Sequence, residues 1–292
     1  MKKLVYLLFI LITLITISGC QKEDIYNPDE KIQSIYDYSY SAKSPYVSFI
    51  YEEEKISKAV FIGGMVFEFE YNEDDQVSAI YAYYSNNPCG YVIMSYFDKK
   101  LSKVDYYDSP NHIFQKDTFY RHHGEIYGYK SYIAVANLKN YESYTQNSRL
   151  FQSLMHVQNP KSVKSLKVDA KSEFVLSSQT NVTYTKSNIT SFETVYQNGF
   201  TTIFNFTYDS EKNPLYGLPF ALIDHTTFPS APLSSYCKNN FTSTSYCEYY
   251  TTPGEYTTEI YELVYQKNGY PSQIYCNDNY QTVLRWQFNY IE

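Results

Sequence analysis

The chain has 292 residues, 36 of them tyrosine and only 10 glycine, with a formal net charge of −7 and no basic block. That length accommodates one large or two small domains, and the lack of clustered Lys and Arg argues against a nucleic-acid partner. Aromatic and β-branched abundance points to strands.

Lys2 and Lys3 form a positive start, and residues 4–17 form an apolar stretch interrupted only by Thr13 and Thr16. By length and flanks this is the core of an export signal, too short to span a membrane comfortably as a helix. Ile17-Ser18-Gly19-Cys20 resembles the bacterial lipobox, which implies cleavage before Cys20 and lipidation of its sulfur. Gln21-Lys22-Glu23-Asp24 resembles the short export signal of Bacteroidetes surface lipoproteins. It implies an outer-membrane, lipid-anchored protein that faces the cell exterior and is handled by the lipoprotein export machinery. The expected division is a signal peptide over 1–19, a lipidated tether over 20–30 and a β-rich domain over 31–292.

The stretches FIYEEEKISKAVFI from Phe49, FEYNEDDQVSAIYAY from Phe69 and MSYFDKKLSKVDYY from Met94 share one form. Each has an aromatic strand end, a polar turn, a β-branched or Leu residue, a serine and a second alternating strand. The marker tyrosines Tyr51, Tyr71 and Tyr96 lie 20 and 25 residues apart. Alternation of Phe67, Phe69 and Tyr71 with Glu68 and Glu70 predicts hairpins with one packed and one wet face. Turns are expected near Glu53, Asp74 and Asp98, and the packed set should include Phe67, Phe69, Tyr71 and Ile80. KIQSIYDYSY from Lys31 looks like the returning half of one more unit.

Between Asn137 and Lys167 the alternation weakens. Leu150, Phe151, Leu154 and Met155 have helical spacing before Asn159-Pro160, predicting one short amphipathic helix, and 161–172 reads as a linker or long loop. That loop could separate lobes at 31–145 and 168–292, or a single sheet could continue through. LPFALIDHTTFPSAPL from Leu218 reads as a short helix or turn followed by a loop. FNFTYDSEKNPLYGL from Phe204 and ELVYQKNGYPSQIYCND from Glu262 return to the hairpin theme, the second with an Asn268-Gly269 turn signal, and QTVLRWQFNYIE closes the chain as an alternating strand. The pieces YDSEKNP, YQKNGYPSQI and the terminal FNY resemble Bacteroidetes lipoproteins of the DUF4595-like type and, more distantly, the YD repeats of Rhs-type proteins. The resemblance implies a β-rich extracytoplasmic fold and carries over no catalytic residue.

Apart from Cys20 the cysteines are Cys89, Cys237, Cys247 and Cys276. Outside the cytosol these permit disulfides in three connectivities. Cys237 and Cys247, separated by the polar KNNFTSTSY, are the expected pair. No CxxC, HExxH, GxSxG, Walker A or GxGxxG motif occurs. His122 and His123 fall on opposite faces of a strand and so are poorly placed to share a metal. The acids Glu52–Glu54 and Glu73–Asp75 sit in expected turns. Tyrosine stripes could present a sugar-stacking surface.

The fold expected is mainly β, an antiparallel meander of repeated hairpins forming a large twisted sheet, sandwich or open barrel, with one or two short helices. The function expected is a non-enzymatic, lipid-anchored cell-surface protein that binds or scaffolds an extracellular glycan or protein, without metal or cofactor. The alternatives are a surface glycan hydrolase using paired carboxylates and a periplasmic envelope-maintenance factor.

Overall fold

The structure is a computed structural model that describes residues 26, 28–39, 41, 43–109, 112–122, 125–134, 173–186, 188–218, 237–277 and 281–291. Cys20 and the Gln21–Asp24 run, His123 and the expected helix near Leu150 lie outside these residues.

The strands run β1 (Ile32–Asp37), β2 (Val47–Glu52), β3 (Lys55–Phe61), β4 (Met65–Tyr71), β5 (Val77–Tyr84), β6 (Asn87–Phe97), β7 (Lys100–Ser109) and β8 (His112–His122). They continue as β9 (Glu125–Ala134), β10 (Phe174–Thr185), β11 (Asn188–Tyr196), β12 (Thr201–Lys212), β13 (Asn239–Tyr249), β14 (Thr257–Tyr265), β15 (Pro271–Asn277) and β16 (Thr282–Tyr290). Every strand pairs antiparallel with its sequence neighbours, and β1 pairs with β16, so the sheet is a closed up-and-down barrel. This corrects the expectation of an open or sandwich-like sheet; both expected short helices, near Leu150 and after Leu218, lie outside the described residues. The sheet closes on itself, and no helix occurs among the described residues. Closure satisfies the backbone groups that edge strands would leave unpaired.

The predicted hairpins are present. β2–β3, β4–β5 and β6–β7 turn at the expected places, with Glu53, Asp75, Asp98 and Lys99 at positive φ. Phe67, Phe69 and Ile80 are buried, and Tyr71 is half-buried.

A single local device recurs around the barrel. Each odd-numbered strand carries an apolar residue at or near its start, followed by one extra residue that bulges out of register with the preceding strand. The extra residue is serine or threonine in most copies: Ser57, Ser78, Ser102, Thr190, Thr242 and Ser272. A bulge disrupts the ladder and leaves backbone groups short of partners. The hydroxyl compensates: Ser57 donates to the Ile50 carbonyl at 3.3 Å, Ser102 to Ser95 at 3.0 Å, Thr190 to Thr183 at 3.3 Å and Ser272 to Val264 at 3.1 Å. This accounts for the serine of the sequence repeat.

The marker tyrosines complete the unit. Tyr51 donates its hydroxyl to the carbonyl of Ile32 at 3.0 Å, Tyr71 to Ile56 at 2.8 Å, Tyr96 to Val77 at 2.7 Å and Tyr290 to Pro271 at 2.8 Å. Tyr208 makes the same bond to Ile189. In β8 an arginine takes the role, Arg121 Nε reaching the Leu101 carbonyl at 3.1 Å. Each unit thus ties the apolar head of the unit before it. Lys31 and Lys55 lie over the rings of Tyr51 and Tyr71 and pair with Glu54 and Asp75 of the next turn at 2.5 and 2.6 Å.

The two ends differ. The near end carries Ile32, Tyr290 and the turns β2–β3, β4–β5 and β6–β7. The far end carries the β1–β2, β3–β4, β9–β10 and β13–β14 connections. Inward side chains are mostly apolar, among them Ile32, Phe49, Phe67, Ile80, Val92, Val104 and Phe288. Outward ones are mostly polar or charged, including the Lys58–Glu68 pair at 2.7 Å in the middle of β3 and β4.

Candidate functional site

The inner wall changes character at the far end. On β8–β12 it is polar: Gln115, Asp117, Ser131, Ser178, Thr180, Thr194 and Thr202 are all buried. Several of these groups bond one another. Asp117 accepts from the Tyr106 hydroxyl at 2.9 Å and from Gln115 at 3.0 Å, and Thr180 and Thr194 share a bond at 2.8 Å.

Across the barrel seam a second polar group lies on β14, β16 and β1. Asp37, fully buried, pairs in register with Trp286. Its Oδ1 accepts from the Ser39 amide at 2.9 Å and hydroxyl at 2.6 Å, with Arg285 Nε 3.6 Å away. Its Oδ2 has no hydrogen-bond partner among the described residues, an exception among buried polar atoms. The Arg285 guanidinium lies 5.5 Å over the Trp286 ring, and Tyr261 packs 5.9 Å from the same ring. Tyr261 donates to Glu259 at 2.6 Å, and burial first, then the Glu259 charge, holds its phenol well above the usual range. The β14–β1 wall can therefore hydrogen-bond a polar group from inside the barrel.

The group does not assemble a hydrolytic pair of the retaining kind. Asp37 and Glu259 are rooted three strands apart, roughly 14 Å along the wall, whereas retaining carboxyls stand about 5 Å apart. The turn acids are engaged elsewhere: Glu54 with Lys31, Asp74 with Lys99 and Asp75 with Lys55. Among the described residues no group of three or more His, Cys, Asp or Glu could hold a metal. His122 ends β8 at the near end.

The expected Cys237–Cys247 bridge is not formed. The polar KNNFTSTSY is strand β13 rather than a loop, so the two sulfurs stand roughly 30 Å apart along an extended chain. Cys237 is wholly buried beside the Tyr208 hydroxyl at 3.2 Å, and burial pushes its thiol up to about 12.

On the outer wall Tyr81, Tyr91 and Tyr107 form a ladder across β5–β7. Ring centroids are 5.7 Å and 4.3 Å apart, with interplanar angles of 29° and 9°. The faces cover one another and the edges meet solvent. A sugar stacks on an exposed face, so this ladder is not the flat platform that its composition suggests. No separate motif marks Asp37, Tyr261 or Trp286 in the sequence. Asp37 could have been found as the polar residue at an inward position of an alternating strand.

No protein-family model matches the chain, and no curated protein does. Solved structures do. A porin-like protein from Bacteroides vulgatus aligns with a TM-score of 0.56 at 10% identity, over 90% of this chain and 99% of that one. The two share a fold. A porin-like protein from Bacteroides uniformis aligns over 90% of this chain and 99% of that one at 11% identity, with a TM-score of only 0.32. A Photorhabdus luminescens Tc holotoxin pore also gives 0.32 at 11% identity, over 82% of this chain and 12% of that one. The fold comparison therefore rests on the first. At 10% identity it extends to the barrel alone.

Proposed function

We propose that the protein is a non-enzymatic barrel of the outer membrane that stands in water on a lipid tether at Cys20 and binds or scaffolds an extracellular ligand. The observation that carries this reading is the polarity of the wall. A membrane-spanning barrel turns an apolar band outward and a polar lumen inward. Here Phe67, Ile80, Val92 and Phe288 face inward and are nearly or wholly buried, while Lys58, Glu68 and Lys130 face outward. A Lys on the lipid face costs about 2–4 kcal/mol at the bilayer midplane, and the outer wall carries several charges. The apolar packing inside leaves a pore no support. The anchor supplies membrane attachment instead. Residues 28–31 lead into β1 at the near end, and a tether of the length between Cys20 and Lys31 reaches at most roughly 40 Å when extended, which favours the near end toward the membrane and the far end outward.

The DUF4595-like kinship and the surface-facing orientation belong to the same proposal. Cys20→Ala should abolish lipid labelling and release the protein into the soluble fraction. Changing Lys22, Glu23 and Asp24 together to Ala should keep lipidation but remove protease accessibility on whole cells. A Cys20→Ala protein that stays in the membrane through alkaline carbonate washing would overturn the reading. Unchanged accessibility in the triple variant would reduce the charged run to a tether.

A further inference from the structure

We propose that the outer face of β7–β9 docks an acidic polysaccharide. This deepens the binding role proposed above and rests on it, but not on the lipid anchor. The chain as a whole is acidic, at −7. Away from the turns, the outward positions of β7–β9 carry Lys103, Lys116 and Lys130 against Asp105 alone. Three positive charges less one negative leave this face at +2.

The register fixes the arrangement. Thr118 on β8 lies between Lys103 and Lys130 on its two neighbours, which sets those lysines roughly 10 Å apart, and Lys116 is two residues further along β8, roughly 7 Å from Thr118. Lys103 pairs with Asp105 at 2.6 Å and keeps its side chain 40% exposed. Lys116 and Lys130 rest on aromatic rings, 4.0 Å from Phe174 and 5.6 Å from Tyr120. A ring contact orients an ammonium without neutralising it; Asp105 stands in register opposite Lys116 but forms its ion pair with Lys103, so the Lys116 and Lys130 ammoniums remain for an anion. Tyr120 and Tyr132 are half-buried among the lysines, presenting apolar ring surface with a hydroxyl at the rim, and Tyr107 adds its ring edge from the end of the ladder.

Spaced cations separated by tyrosines suit a polymer whose charges are also spaced and whose intervening rings are partly apolar. Nucleic acid carries one charge per roughly 1.7 Å of duplex and asks for a denser field than three lysines on an acidic protein. The lysines sit in the body of a rigid wall rather than in a loop, so the site is preformed.

The test uses the full chain purified in mild detergent, with affinity electrophoresis through gels containing polygalacturonate, dextran or no polymer. Polygalacturonate should retard the protein at low salt, dextran should not, and retardation should decline as salt rises. Lys103→Gln, Lys116→Gln and Lys130→Gln combined should weaken the apparent affinity at least tenfold, and Arg at all three positions should restore it. Lys58→Gln, on the same outer wall but paired with Glu68, should bind like wild type. If the triple Gln variant loses its far-ultraviolet spectrum, the three single variants decide, each with a smaller loss. Equal retardation by dextran, an unaffected triple variant, or tighter binding of a DNA oligomer or poly-glutamate than of polygalacturonate would overturn the proposal. The anchor reading is untouched by any of these results, because it is tested by lipid labelling and fractionation.

Discussion

Removing one tyrosine hydroxyl from the ring of clamps tests whether the repeat unit holds the barrel together. Tyr71→Phe keeps the ring, and with it the contact to Lys55 Nζ 5.2 Å away, but deletes the 2.8 Å bond to the Ile56 carbonyl. Ile56 is only 2% exposed, so water cannot easily replace the donor. A typical hydrogen bond contributes about 1 kcal/mol net, and a buried polar atom left unpaired costs about 1–3 kcal/mol. The expected loss is about 1.5–2 kcal/mol. Tyr81→Phe is the control, since its hydroxyl meets an exposed Glu70 at 3.2 Å and should cost under about 0.5 kcal/mol. Urea unfolding reads the difference as a lower midpoint with an unchanged slope. Tyr71→Phe and Tyr290→Phe belong to distant units and should add to within about 0.5 kcal/mol. If Tyr71→Phe unfolds at the same urea concentration as Tyr81→Phe, the hydroxyl is incidental and the clamp is not a source of stability.

Gly128→Ala should be among the most damaging single-methyl additions, because a Cβ there would stand 2.6 Å from the backbone oxygen of Thr180; a loss above about 2 kcal/mol in thermal unfolding is expected, against near neutrality at Gly254, which has open space. Alkali should unfold the barrel: burial pushes the Tyr51 phenol up to about 12, above its value near 10 in an unfolded chain. Stability from this group is therefore complete below pH 10 and is lost as pH rises toward 12, amounting to roughly 3 kcal/mol for Tyr51. Circular dichroism against pH checks this, and an intact fold at pH 12 would refute it. Asp37→Asn should stabilise the barrel or leave it unchanged within about 1 kcal/mol, because an amide keeps an acceptor for Ser39 and removes a buried charge whose one counter-ion among the described residues is distant; a large loss in urea would show that the Arg285 pairing matters more than its 3.6 Å separation suggests.

The hairpins were readable because their determinants are local. Alternation around Phe67 and Phe69, polar turns at Glu53, Asp74 and Asp98, and a serine after each apolar strand head all lie within some ten residues of one another. Closure was not readable in the same way. Alternation is identical in an open sheet and a closed barrel, and the seam joins Ile32 to Tyr290, at opposite ends of the sequence. A signal did exist: KIQSIYDYSY reads as an outgoing half-unit, and RWQFNY reads as a strand that ends on a marker tyrosine, Tyr290. Together they make one complete unit, with Tyr290 facing Ile32 as Tyr51 faces Ile56. The bridge between Cys237 and Cys247 failed for a different reason. Ser, Thr and Asn between them read as a loop, yet β13 uses hydroxyls as strand residues, with Thr242 bonding Thr207 and Ser245 bonding Thr258 across the neighbouring strands at 2.8 and 2.9 Å. The inner polar group around Asp37 depends on three strands meeting at the seam, so it became visible only with closure.

A barrel fold by itself does not choose between lipid and water as its surroundings; the parity of each strand does. Shifting every strand by one residue would turn Phe67, Phe69 and Ile80 outward and Glu68 and Glu70 inward, giving the pattern of a membrane barrel from the same residues. The bulge at the head of each odd-numbered strand is where that parity is set, because an extra residue there reverses the facing of everything before it. In β5, Val77 and Ile80 both face inward, although they are an odd number of residues apart, because Ser78 is the extra residue between them. The serine bonds to the facing carbonyls and the tyrosine clamps both act at these bulges, on the two sides of the wall. They hold the register that keeps the aromatic residues inside and the charges outside. The device that fixes the register is therefore also the one on which the proposed placement in water rests, with attachment to a membrane falling to the lipid proposed at Cys20.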